Sequence, residues 1–93
     1  MSANLLVLGG TTEATALCRT LSDNAICGVV SYAGRVEKPV QQPLPQRVGG
    51  FGGVAGLVAY VRAHGVTHVV DATHPFAAQM SRNAVSACAE AGV

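Results

Sequence analysis

The sequence predicts an α/β domain with an open parallel sheet of about four strands and helices packed against it. The first apolar run, residues 5–8, carries no charge and stops at Gly9 and Gly10. Such a run is typical of a strand that is buried on both faces. Further apolar runs alternate with segments whose apolar residues recur at i, i+3, i+4 and i+7, which is the order of repeated βα units.

Composition narrows the class of protein and its partners. The 93 residues suffice for one domain at most, and 49% of them are hydrophobic while only 12% are charged. A net charge of +1 offers no electrostatic attraction for nucleic acid or for an anionic membrane. The three cysteines have neither CxxC spacing nor an even count, and the apolar run is too short for a signal peptide or a membrane span. We therefore expect a cytoplasmic protein with reduced thiols and no metal site.

The first half of the chain contains one helix and two further strands. The helix follows Gly10, presents one apolar face and ends at the turn-forming residues 22–24; its face comprises Ala14, Leu17, Cys18 and Leu21. Residues 26–31 are predicted as the second strand. Prolines at positions 39, 43 and 45 exclude a regular helix over residues 37–46, so we predict a helix-free link before a short third strand at residues 46–48.

The second half repeats the alternation. A helical stripe runs from Val54 through His64 and is broken by Gly65. Residues 66–71 form a predicted fourth strand, and a last helix extends from Phe76 to Gly92. Right-handed crossovers then give the strand order 3-2-1-4, which gathers the loops after the strands at one edge of the sheet.

The first of these loops, in LGGTTEA, is a candidate phosphate site. Glycines let the backbone approach a ligand closely, and the first turn of the following helix directs its N–H groups at an anion. Ala14 in the last position of a GxGxxA-like pattern permits close packing of helix on sheet. The alternative is an ordinary strand-to-helix turn. The candidate cofactor-binding residues here are Gly9, Gly10, Thr11, Thr12 and Glu13, with Glu13 facing aside toward ribose hydroxyls.

The end of the second strand bears on the choice of cofactor. NAD-specific dinucleotide folds place an acid there, about 20 residues after the glycines, to bind the ribose 2′-hydroxyl. This chain has Ser31 and then Arg35. A hydroxyl and a guanidinium suit a 2′-phosphate, so NADP(H) is favoured over NAD, although Arg35 could equally be a solvated loop residue.

Two later loops complete the candidate site. Four glycines surround Phe51 in GGFGG, and we assign Gly50, Phe51 and Gly52 to a close ligand passage, with a flexible loop as the alternative. The fourth strand leads into DATHPF, where Thr73 is a candidate cofactor contact. Asp71 could orient His74, or could cap the adjoining loop or helix. His74 could bind substrate or relay a proton, and the competing interpretation is a helix-entry residue held by backbone bonds.

Together LGGTTEA, VVSYAGR, RVGGFGG and VVDATHPFAAQMSRNA resemble the precorrin-6A reductase family of cobalamin biosynthesis over essentially the whole chain. The resemblance implies NADPH-dependent reduction of a corrin-ring precursor by a two-domain enzyme. Residues 1–93 would be its N-terminal, NADP-binding, Rossmann-like domain. It also implies a tetrapyrrole substrate, faced by His74, Pro75 and Phe76.

Members of that family continue well past this length. We therefore expect the chain to be an N-terminal portion that lacks the second domain, to be inactive alone and to self-associate. The catalytic residue is not identified from the sequence. A non-enzymatic nucleotide-sensing module and an epimerase-like NADP or sugar-nucleotide domain are the alternatives.

Overall fold

The computed structural model describes residues 2–34 and 42–93. Strands and helices alternate along the described chain, apart from the link between the second and third strands. The elements are β1 (Asn4–Leu8), α1 (Thr12–Asp23), β2 (Cys27–Tyr32), β3 (Gln46–Val48), α2 (Gly53–Ala63), β4 (His68–Asp71) and α3 (Ala78–Ala91).

The strands form one parallel sheet in the order β3-β2-β1-β4. Leu6 of β1 pairs with Val29 of β2 on one side and with Val69 of β4 on the other. The predicted strand order and the central position of β1 are both confirmed. All four strands end at the same edge, because parallel strands linked by right-handed crossovers run in one direction.

The core lies on both faces of β1. Leu6 and Leu8 point to the face covered by α2 and α3, where they pack with Leu57 and Val58. Val7 points the other way, into the cluster of α1 and β2. Side chains alternate along a strand, so a run without polar residues requires apolar cover on both sides. Leu6 and Val7 are fully buried, which confirms that prediction.

Several element boundaries differ from the sequence prediction by one or two residues, with the two-residue differences on either side of β4. The fourth strand begins at His68, since the preceding Val66 donates its N–H to Val61 O at 3.0 Å and closes the end of α2. The last helix begins at Ala78 rather than at Phe76, because Ala77 N donates to His74 O in a separate turn. Both changes lengthen the loops that flank β4.

The predicted helix-free link spans residues 37–46, of which 37–41 lie outside the described residues. Its described part, residues 42–45, contains no helix. Leu44 is buried against the α1 cluster, and Pro45 O accepts a hydrogen bond from Val30 N at 2.9 Å. No helix in the described ranges is both long and apolar enough to cross a bilayer.

Candidate cofactor-binding cleft

A small cavity lies where the loops after β1, β2, β3 and β4 converge. Its volume is about 120 Å³, and apolar side chains make up much of its wall, among them Leu8, Ala77 and Met80. Ligand pockets commonly measure about 300–1,000 Å³, so this cavity suits one ring of a larger ligand that extends along the open sheet edge. The predicted site residues that line it are Gly9, Gly10, Ser31, Phe51, Thr73 and His74.

The two glycines of the loop after β1 have different structural roles. Gly10 has a φ of +114°, which an L-residue rarely adopts, and a Cβ built there would meet nothing within 4 Å. A Cβ on Gly9 would instead lie 2.7 Å from the Val30 side chain. Gly9 is therefore required by packing between the strands, whereas Gly10 leaves open space above the sheet.

Thr11 is the N-cap of α1. Its Oγ1 accepts from Ala14 N at 3.1 Å and donates to Ala72 O at 2.6 Å. The hydroxyl is committed to these two partners, so Thr11 shapes the loop rather than offering a free donor. By helix geometry the N–H groups of Thr12 and Glu13, the first two residues of α1, have no acceptor within the helix.

Thr12 and Glu13 lie beside this passage. Both are exposed, and Thr12 Oγ1 donates to Glu13 Oε2 at 3.3 Å. Neither lines the cavity. The assignment of Thr12 and Glu13 to the cofactor therefore stays a prediction.

Ser31, at the end of β2, is buried and lies at the cavity wall. Its Oγ accepts a hydrogen bond from Arg47 Nη1 at 2.8 Å. Arg35, the guanidinium assigned from the sequence, lies outside the described residues. The sequence analysis assigns no role to Arg47, whose available signal is that of a cation next to a glycine-rich loop.

The loop after β3 holds one aromatic ring against the core. Phe51 packs edge-on to Tyr60, with ring centroids 5.1 Å apart and planes at 72°, and it also borders the cavity. Gly52 follows with a left-handed φ of +88° and caps α2. Gly56, one turn into α2, has no room for a side chain, because a Cβ there would overlap the Phe51 carbonyl oxygen. Gly50 is exposed and adjoins this ring.

The loop after β4 is organised by Asp71. Its carboxylate accepts from the Thr73 hydroxyl and the Ser81 hydroxyl, each at 2.5 Å, and from Thr73 N at 3.2 Å. Burial tends to raise the pKa of Asp71, but the hydrogen bonds from Ser81 and Thr73 together outweigh it and lower the pKa. Asp71 therefore caps its own loop and ties it to α3, and its described partners do not include His74.

His74, Pro75 and Phe76 form an exposed tip beyond this anchor. His74 Nδ1 accepts from Phe76 N at 3.3 Å, and the two rings stack with centroids 4.8 Å apart. The Phe76 side chain is 90% exposed. The tip thus presents a flat aromatic surface beside the cavity, and the backbone bond to His74 agrees with the helix-entry interpretation.

The described lining of the cleft combines polar and aromatic groups. It has glycine backbone at Gly10, a buried hydroxyl at Ser31 and an aromatic ring at Phe51, and the exposed ring of Phe76 lies next to His74 at its rim. Its described lining contains no carboxylic acid; His74 is the titratable side chain at its rim.

Comparison with known proteins shows to which family the chain is similar. The family model described as precorrin-6x reductase CbiJ/CobK matches residues 4–93. Precorrin-6A reductase of Rhodobacter capsulatus is 68% identical over 89 residues, 96% of this chain and 36% of that protein. Cobalt-precorrin-6A reductase of Salmonella typhimurium is 34% identical over 97% of this chain and 35% of its own length. A solved CobK precorrin-6A reductase structure superposes with a TM-score of 0.94 at 67% identity, over 98% of this chain and 36% of that one.

The chain therefore spans about a third of the length of these relatives. The family match nevertheless runs along nearly all of its residues, and the superposed structure has the same fold. The motifs at the four strand ends fall within the matched range. The chain belongs to the precorrin-6x reductase CbiJ/CobK family.

Proposed function

We propose that this chain is the NADP(H)-binding part of an enzyme that reduces the precorrin-6A macrocycle in cobalamin biosynthesis. The observation that carries the proposal is the cavity between Gly10, Ser31 and Phe51 in a chain of this family. The precorrin-6A reductase of Rhodobacter capsulatus is 68% identical to this chain, whereas the cobalt-precorrin-6A reductase of Salmonella typhimurium is 34% identical. These names support precorrin-6A without cobalt as the proposed substrate.

The residues present fit a dinucleotide. Gly10 leaves space where a side chain would obstruct a pyrophosphate, and the N-terminus of α1 provides donors for it. Ser31 replaces the acid that would repel a 2′-phosphate, and Arg35 follows four residues later. Gly50, Phe51, Gly52 and Thr73 would flank the rest of the cofactor.

The reaction divides between cofactor and protein. Bound NADPH supplies a hydride for a ring carbon of the substrate. The residues of this chain would hold the cofactor in a fixed position relative to the substrate. The loop after β1 would bind its phosphates, and Phe51 would limit its movement. His74, Pro75 and Phe76 would face the tetrapyrrole, where exposed aromatic rings can stack on a flat macrocycle.

The proposal includes a second domain of the same protein as the opposite wall of the cleft. The relatives' greater length supports it, since their remaining residues are ample for another domain. We also propose a cytoplasmic setting, which the free thiols of Cys18, Cys27 and Cys88 support.

Cofactor titration of the full-length protein tests the proposal. NADPH should bind more tightly than NADH, and precorrin-6A should be reduced at the expense of NADPH. Arg35→Ala should weaken NADPH binding by roughly ten- to over a hundred-fold, as expected for one charge-assisted contact, and leave NADH binding unchanged. Arg62→Ala, on the exposed face of α2, is the matched control.

Three results would count against this assignment. Equal binding of both cofactors would refute the 2′-phosphate interpretation. Equal losses in Arg35→Ala would assign that residue to folding. Tight NADPH binding without precorrin reduction would favour the nucleotide-sensing alternative.

A further inference from the structure

The guanidinium of Arg47 joins two of the loops that form the cleft. Nη1 donates to Ser31 Oγ at 2.8 Å and to Gly49 O at 3.0 Å, and Nη2 lies 3.4 Å from Gly50 O. Ser31 and Arg47 are paired residues of β2 and β3, so their side chains leave the same face of the sheet. One side chain thus fixes the end of β2 relative to the loop after β3.

Within the described residues these hydrogen bonds all go to neutral oxygens. Arg47 is half-buried and makes several hydrogen bonds, which distinguishes it from an arginine that is exposed to solvent and serves only solubility. The planar fork of a guanidinium can hold two acceptors at once, which a lysine ammonium does less well. The geometry therefore uses the shape of Arg47 as well as its charge.

The first consequence concerns the hydroxyl of Ser31. A hydroxyl carries one proton and two lone pairs, and here one lone pair is taken by Arg47. Among the described residues Ser31 Oγ acts only as an acceptor. Its proton is then available to donate into the cavity that Ser31 lines. With one lone pair of Ser31 Oγ held by Arg47, the hydroxyl proton can be donated to an anionic or hydroxyl-bearing ligand.

The second consequence concerns Phe51. The Arg47 guanidinium carbon lies 4.0 Å from the centroid of the Phe51 ring, and Tyr60 contacts that ring edge-on. A cation over one face and an aromatic edge beside it limit the positions open to the ring. Phe51 is therefore held as a fixed part of the cavity wall.

We propose that Arg47 is a positioning residue for the cofactor, acting through Ser31 and secondarily through Phe51. The inference rests on the proposed NADPH-dependent function. Arg47 is not among the residues that line the cavity, but its guanidinium contacts two that are, Ser31 and Phe51. Losing it should weaken cofactor binding while leaving the chemical step largely intact.

The test uses the full-length protein and four variants: Arg47→Met, Arg47→Lys, Ser31→Ala and the double variant Arg47→Met/Ser31→Ala. Arg47→Met should raise the KM for NADPH roughly tenfold, as expected for one charge-assisted hydrogen bond, with kcat nearly unchanged. Arg47→Lys keeps a cation near Phe51 but not the fork, so its KM should rise almost as much. Arg62→Met is the control for loss of an arginine elsewhere in the domain.

The double variant separates positioning from general stability. In the Ser31→Ala background, Arg47→Met should raise KM by no more than about threefold, because the hydroxyl it orients is already absent. Arg47→Lys carries the comparison if Arg47→Met does not fold. A lowered Tm with unchanged KM in the Arg47 variants would overturn the proposal, as would full additivity with Ser31→Ala. If wild-type protein fails to use NADPH, the proposed function itself fails, and this inference with it.

Discussion

The Thr11 hydroxyl donates to the Ala72 carbonyl oxygen at 2.6 Å and so connects the loop after β1 with the loop after β4. The Thr11 hydroxyl oxygen also caps α1, because it accepts a hydrogen bond from Ala14 N. A single side chain thus sets the start of the first helix and the spacing of two strand ends. Gly10 and Thr73, the neighbours of Thr11 and Ala72 in sequence, both line the cavity.

Thr11→Ala should lower the free energy of unfolding by about 1–2 kcal/mol, since it removes an N-cap and leaves the Ala72 carbonyl without its donor. Thr11→Ser keeps both bonds and should cost much less. Urea unfolding of the full-length protein measures the difference. Thr20→Ala, an exposed threonine on α1, serves as control, and equal losses at positions 11 and 20 would contradict the bridging role.

Gly56→Ala should be destabilising although alanine is the better helix former. Propensity alone would favour alanine by about 1 kcal/mol within a helix. Here a Cβ would overlap the Phe51 carbonyl oxygen, so the loop that carries Phe51 must move. We expect a lower Tm and weaker NADPH binding, measured by thermal unfolding and titration.

The exposed Ala59 of the same helix provides the reverse control. Ala59→Gly measures the difference in helix propensity between alanine and glycine at a position where no Cβ overlaps the Phe51 carbonyl oxygen. If Gly56→Ala raises the Tm, the close approach of Phe51 to α2 is not a constraint on the protein.

Asp71→Asn should destabilise the protein at neutral pH and have less effect in acid. The pKa of Asp71 is lowered in the folded state, so its ionised form contributes stability above the ordinary carboxyl pKa. That contribution is lost as the pH falls through the lowered pKa. Thermal midpoints of wild type and variant should therefore converge at low pH, and a gap that is constant with pH would show that charge is not involved.

His74→Ala should raise the KM for the tetrapyrrole with little loss of kcat. The ring is exposed, stacks on Phe76 and accepts a backbone N–H, which suits a residue that lines a binding surface. If His74 instead donates the proton that follows hydride transfer, kcat should fall by about 10²–10⁴. Steady-state kinetics of the full-length enzyme distinguish the two, with Phe76→Ala as a test of the stack.

Sequence patterns alone determined the order of the elements and the place of the cleft. The uncharged run at residues 5–8 predicts a central strand, since side chains that alternate between two faces need apolar cover on both. Apolar spacing located the helices to within a few residues. Parallel strands end together, so the loops holding Gly10, Ser31, Phe51 and Thr73 could be assigned to one edge before any contact was known.

Only the tertiary structure decided which side chains meet at that edge. Arg47 and Ser31 are 16 residues apart and Thr11 and Ala72 are 61 apart, and both contacts depend on how the strands are aligned in the sheet. Local periodicity reports which face a residue occupies but not its neighbour on the next strand. The sequence predicts Thr11 as a candidate cofactor contact, and the structure adds that its hydroxyl donates to Ala72 O and accepts from Ala14 N. Such pairings arise from strand register and loop geometry, which the packed core determines and no short stretch of sequence encodes.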